Sequence, residues 1–178
     1  MFSFLMTGCA STPPNKDVQA ILNWKLVFNQ DLPNGDLMRQ YIPANESAEA
    51  WHDRFNVTFH KHDPAKPPQP LRAQAEAVCT RNSAELSAQM KKMEKPDCQV
   101  ACNFINSADR SLLFEIPQAC STGSANYQLL RWISTAEGMY YFSFLQKQTI
   151  TPETRRQWLS IMKSVQPAKG DHIRDYFN

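Results

Sequence analysis

Phe55, Val57, Phe59 and Lys61 alternate with Asn56, Thr58, His60 and His62. Successive side chains of a strand point to opposite faces, so this period of two describes a strand with an apolar face and a polar one. A helix would put Val57 on the side opposite Phe55 and Phe59 and could not bury all three on one face. The run Asp63-Pro64-Ala65-Lys66-Pro67-Pro68-Gln69-Pro70 ends the strand, because proline cannot donate to a ladder. A half-buried strand needs partner strands and a layer over its apolar side, and the rest of the chain has to supply both.

The partners are legible as paired runs around turns. Leu22, Trp24, Leu26 and Phe28 alternate with polar residues, Leu32-Pro33-Asn34-Gly35-Asp36 carries turn chemistry, and residues 37–43 return as a second strand. Residues 99–105 and 111–116 predict another hairpin, with its turn at 106–110. Residues 127–134 and 139–148 predict a third around Thr135-Ala136-Glu137-Gly138. Helices are expected over 46–53, with Asn45 as cap and Trp51 as anchor, over 71–80, and from a Ser83 cap to Met93. Thr151-Pro152-Glu153 opens a last helix on which Trp158, Leu159, Met162 and Val165 recur at helical spacing. Met139-Tyr140-Tyr141-Phe142-Ser143-Phe144-Leu145 is apolar on both faces, which marks a central covered strand or, failing that, a docking surface.

Hairpins with helices inserted and appended indicate an α+β domain, an antiparallel sheet covered by helices that include an amphipathic one near the C-terminus. With 178 residues, 42% of them hydrophobic, the chain suffices for one such domain and a tail. The expected divisions are residues 1–9 as a signal segment, 10–19 as a flexible tether, 20–167 as the domain and 168–178 as a polar tail that frays. Nineteen basic and seventeen acidic residues leave a net charge of +2 without a basic stripe, which argues against a nucleic-acid partner.

The chain opens Met1-Phe2-Ser3-Phe4-Leu5-Met6-Thr7-Gly8-Cys9, an apolar run ending in small residues and giving way to Ala10-Ser11-Thr12-Pro13-Pro14. This stretch resembles the bacterial lipoprotein signal, with Met6 at the aliphatic position, Thr7 and Gly8 as the small residues, and Cys9 as the residue that takes the lipid. No basic residue precedes the run, and it is shorter than a usual signal, as for a chain that starts inside one. The resemblance implies a palmitoylated outer-membrane lipoprotein facing the periplasm of a bacterial envelope, with Ala10 rather than Asp after the lipidated cysteine. Its membrane contact would be the lipid, and its partners other envelope proteins. More loosely, the order of elements over residues 20–165, a strand pair followed by a capped amphipathic helix, is similar to that of small Mog1/PsbP-like domains.

Beyond Cys9 four cysteines remain: Cys79, Cys98, Cys102 and Cys120. An even number in an exported chain points to two disulfides; free buried thiols and a zinc site are the rival readings, and Cys98 with Cys102 is the one close pair. The hairpin register puts Cys98 across from residue 118, 119 or 120, near the ~5.5 Å Cα separation that a bridge prefers. Cys102 lies one pleat deeper, where the helix carrying Cys79 would sit. The expected pairs are therefore Cys98–Cys120 and Cys79–Cys102.

No constellation for catalysis stands out. The chain has no Gly-x-Ser-x-Gly elbow, no His-Glu-x-x-His and no phosphate loop, and Cys102 alternates with Val100 and Phe104 toward the core. His60 and His62, two apart on a strand, project to one face and are the weak candidates for a metal site, with His52 and Asp63 nearby; a solvated strand end is the plainer reading. No cofactor is implied. The expected function is a non-catalytic binding or structural role, as an accessory of an envelope secretion or assembly complex. The alternative is a small-ligand or metal-binding lipoprotein using His60 and His62, and an envelope hydrolase is the remotest reading.

Overall fold

A computed structural model describes residues 16–63, 65, 69–92, 98–120 and 125–177. Cys9 and the whole signal segment lie outside these. The chain forms an α+β fold built on one antiparallel sheet of eight strands. In chain order the elements are α1 (Lys16–Gln19), β1 (Lys25–Asp31), β2 (Leu37–Ile42), β3 (Asp53–Lys61), α2 (Leu71–Lys92), β4 (Cys98–Val100), β5 (Asn103–Ala108), β6 (Ser111–Cys120), β7 (Ala125–Ser134), β8 (Gly138–Gln146), α3 (Pro152–Ser164) and a short 3-10 turn (Ile173–Tyr176).

The sheet runs β1-β2-β3-β8-β7-β6-β4, with β5 also paired to β6. The last strand of the chain is thus central: β8 bonds β3 on one side and β7 on the other. Apolar residues on both of its faces follow from that position, since each face meets a different layer. Tyr140, Phe142 and Phe144 join Phe55, Val57 and Phe59 of β3 beneath Trp158, Ile161 and Met162 of α3. Met139 joins Leu112, Phe114, Ile116 and Trp132 beneath Leu71 and Ala75 of α2, with Tyr141 packed against them. The result is three layers, helices on both sides of the sheet.

Local chemistry accounts for the joints. Gly35 takes a φ of 89°, the left-handed region that favours glycine, in a turn closed by Gly35 N–H donating to Leu32 O at 2.9 Å. Thr151 caps α3 by accepting from Thr154 N–H at 3.1 Å, with Pro152 at the first position. Within the core Trp158 stacks on Phe144 with ring centroids 3.5 Å apart, while Trp24 meets the Trp158 ring edgewise at 5.5 Å.

Several sequence expectations are corrected. The helix expected over 46–53 does not form: residues 46–52 are a loop and Asp53 opens β3. Glu46 accepts from His52 N–H at 2.8 Å and Ser47 Oγ accepts from Ala50 N–H at 3.2 Å. Those side-chain bonds compete with helical ones, and so few residues gain little from helix formation alone. No break occurs at Ser83, because α2 is continuous from Leu71 to Lys92. Leu22 and Asn23 lie in a turn ahead of β1, and Trp24 N–H donates to Ile21 O at 3.0 Å.

The strand expected over 99–105 is split into β4 and β5. Pro117 of β6 stands opposite the break: it accepts from Ala101 N–H at 3.2 Å and has no N–H to return. The tether and the tail are corrected as well. Val18 of α1 is 2% exposed, so ordered packing starts before residue 20. The tail does not fray: Ile173 and Tyr176 are 3% and 0% exposed, and Gln166 N–H donates to Tyr176 O at 2.8 Å.

A buried arginine fixes that tail. Arg39 of β2 faces the α3 side, with Nη2 at 2.6 Å from Asp31 Oδ1 and Nε at 2.8 Å from Asp171 Oδ1. Its Nη1 donates to Gln30 O and Met38 O. Tyr41 Oη donates to Asp171 O at 3.1 Å, and Tyr176 Oη to Gly170 O at 2.7 Å. Burial pushes the Tyr41 hydroxyl up to about 12, so it remains a donor.

Candidate functional site

A groove of about 650 Å3 opens between the end of β3, the start of β8 and the first turn of α2, lined by His60, His62, Gln69, Gln74, Met139 and Tyr141 among others. Gln74 N–H closes the first turn of α2 on Pro70 O at 3.2 Å. Gly138 lets the two strands close up here, since a Cβ on it would stand 2.2 Å from His60 O.

The histidines are brought to one groove but tied to different turns. His60 Nδ1 lies 2.9 Å from Asp36 Oδ2 in the β1–β2 turn. Asp36 Oδ1 accepts from Lys61 N–H at 2.8 Å. Burial opposes ionisation of Asp36, yet the bonds from His60, Lys61 and Asn34 hold its carboxyl below the usual range. His62 is anchored on the β7–β8 turn, its N–H donating to Glu137 O at 3.0 Å and its Nε2 lying 3.0 Å from Thr135 O. A carbonyl only accepts, so His62 carries its proton on Nε2. Each imidazole thus commits one nitrogen to the protein.

His52 does not join them. It precedes the opposite end of β3, roughly 25 Å away at 3.3 Å per residue, and its Nδ1 lies 3.3 Å from Glu46. Among the described residues no three or more His, Cys, Asp or Glu side chains come together as a metal site would require.

From the groove a row of rings runs beneath α2. His60 meets Tyr141 at 5.4 Å between centroids, Tyr141 meets Trp132 at 5.1 Å, Trp132 meets Phe114 at 5.1 Å, and Phe114 meets Phe104 at 5.6 Å. Arg72 of α2 closes the row over the Phe104 ring at 4.4 Å. Burial raises the Tyr141 hydroxyl above its ordinary value. The groove therefore sets mostly polar side chains beside Met139 and Tyr141, a lining able to hold a ligand by contact and hydrogen bonds.

Cys79 of α2 and Cys102, at the break between β4 and β5, are joined in a disulfide with a Cα separation of 6.2 Å. Cys120 is also disulfide-bonded. The residue directly across the ladder from it is Cys98, whose side chain lies outside the described part. Cys102 consequently has no thiolate to offer as a nucleophile.

Sequence reasoning missed a second polar centre on the α3 face. Glu115 is 6% exposed, and its Oε2 accepts from Tyr127 Oη at 2.7 Å and from Arg155 Nε at 2.8 Å. Its Oε1 accepts from Asn103 Nδ2 at 3.1 Å. Burial works against the charge, but these donors keep the Glu115 carboxyl below its usual range. Both oxygens are spoken for, so this carboxylate pins α3 to β6 and is not a poised base. The signal was parity: Glu115 stands in step with the buried Leu113, a place where β6 should be apolar.

No family model matches the chain, and no curated protein matches it.

Proposed function

We propose that the chain is a lipid-anchored domain of the bacterial envelope, attached to the outer membrane through Cys9 and facing the periplasm. Its role there is to bind another envelope component, as an accessory of a secretion or assembly complex. The observation that carries this reading is the state of the cysteines. Cys79 and Cys102 are bonded, Cys120 is bonded, and Cys9 alone precedes the domain in the lipobox-like segment. Disulfides belong to oxidising compartments, which the periplasm is and the cytosol is not. Crosslinking in the intact envelope followed by mass spectrometry tests the role: one recurrent envelope protein is expected, and crosslinks indistinguishable from those of an unrelated exported domain would contradict it.

The groove favours a second reading, a small-ligand lipoprotein that uses His60 and His62. Its volume of about 650 Å3 falls in the range of ligand sites. Titration with Zn2+ or Ni2+ separates the two readings. A melting temperature raised by metal, lowered by chelator and made insensitive by His60→Gln with His62→Gln would move the assignment to the groove.

A further inference from the structure

At the end of the sheet away from the groove, four buried side-chain atoms meet no partner among the described residues: Asp53 Oδ1, Arg54 Nε, Asn56 Oδ1 and Gln146 Oε1. Two of these belong to residues directly opposed in the ladder, Asp53 of β3 and Gln146 of β8, whose side chains therefore share a face. Gln146 is 5% exposed, and its amide is the hydrogen-bonding neighbour of the Asp53 carboxyl.

An ionised carboxylate only accepts, whereas a glutamine amide offers two donors on nitrogen and one acceptor oxygen. With Asp53 ionised, the amide nitrogen can serve the carboxylate, but Asp53 Oδ1 and Gln146 Oε1 are left as two buried acceptors. An orphaned buried acceptor is costly. A single proton taken from solvent onto Asp53 removes both defects, because Asp53 then donates to Gln146 Oε1 while the amide donates to the other carboxyl oxygen. We propose that Asp53 and Gln146 form a carboxylic acid–amide pair, closed by a proton on Asp53, that clamps the ends of β3 and β8 together in a pH-dependent way.

The surroundings agree. Burial, followed by the nearby Glu46 carboxylate, pushes the Asp53 carboxyl up to about 6, against the pull of His52 and the Gln146 bond. The neighbouring cations are engaged elsewhere: Arg54 and Lys147 lie over the Trp51 ring at 4.2 Å and 3.7 Å from its centroid. From β7, Tyr127 opposes Gln146 but gives its hydroxyl to Glu115, which Arg155 of α3 also holds. The loop leans on the same junction, since His52 O accepts from Lys147 N–H at 3.0 Å. A folded value above the ordinary 3.8 means that the pair's contribution is complete below that value and is lost as pH rises through about 6.

The test is a carbon-detected NMR titration of the Asp53 carboxyl and the Gln146 side-chain amide in the folded protein. Both should move together with a midpoint near 6. Asp53→Asn, which supplies a permanent donor, should leave the Gln146 amide flat and remove its share of the fall in melting temperature between about pH 5 and about pH 7.5. An Asp53 midpoint in or below the ordinary aspartate range, or a Gln146 amide that ignores the Asp53 titration, overturns the proposal. The parent titration decides the matter even if the variant does not fold.

Discussion

Replacing Arg39 and replacing its two partners should have unequal costs, in a direction the structure dictates. The guanidinium is 2% exposed, while Asp31 and Asp171 are 71% and 57% exposed. Burial works against the charge on Arg39, and the two carboxylates more than restore it. In Arg39→Met the carboxylates return to water at little cost, and the methionine fills much of the vacated volume. What is lost is the hydrogen bonding of a charged donor, about 1.5–3 kcal/mol for such a bond, part of which packing offsets, so a net loss of about 1–3 kcal/mol is expected. In the double variant Asp31→Ala with Asp171→Ala the charge stays inside with only the Gln30 and Met38 carbonyls for partners. Stranding a buried charge costs about 3–5 kcal/mol. Urea unfolding at pH 7 followed by tryptophan fluorescence measures both through the midpoint, provided the slope is unchanged. A single variant as destabilised as the double, or more so, would refute the claim that Arg39 is the desolvated member of the set.

Ending the chain after residue 167 removes Ile173 and Tyr176 from the core and Asp171 from Arg39, an expected loss of about 3–6 kcal/mol or more by calorimetry; an unchanged melting temperature would return the segment to the status of a tail. Cys79→Ser with Cys102→Ser opens a link spanning 23 residues and should cost about 2–4 kcal/mol. Because that link ties α2 to the sheet, the variant should also bind a hydrophobic dye more strongly than the parent under mild denaturant. Glu115→Gln should flatten the acid limb of the stability curve. With its folded value lowered, Glu115 contributes above the ordinary glutamate range and loses that contribution as pH falls through the folded value, so urea midpoints of parent and variant should converge in acid.

The sheet was readable wherever one face was apolar and the other polar, as in the alternation of Phe55, Val57 and Phe59. It was equally readable where both faces were apolar, because the run from Met139 to Leu145 implies two covering layers. Register was legible from turn length, and the ladder sets Cys98 opposite Cys120. Three kinds of information were hidden. The loop at 46–52 has helix-forming residues, but the bonds from Glu46 and Ser47 outweigh so short a helix. The split at Ala101 is decided by Pro117 on a neighbouring strand, so no window around residues 99–105 contains it. The polar sequence of residues 168–178 conceals Ile173 and Tyr176, whose burial depends on a buried arginine far away in the chain. Arg39 and Glu115 each fell in step with apolar neighbours, and that breach of parity was the available clue. His60 and His62 both line the groove, but β3 ends at Lys61 and His62 lies beyond it; Asp36 and Thr135 claim one nitrogen of each, and neither contact could be read from the strand alone.

The central claim, attachment of an oxidised periplasmic domain by lipid at Cys9, is tested most directly by metabolic labelling. The chain and its Cys9→Ser variant would be produced behind a complete export signal, fed labelled palmitate and fractionated. Label on the parent in the outer-membrane fraction, with an unlabelled, folded and soluble variant, is the predicted result. A variant that still sediments with membranes, or a parent that takes up no label, would contradict it.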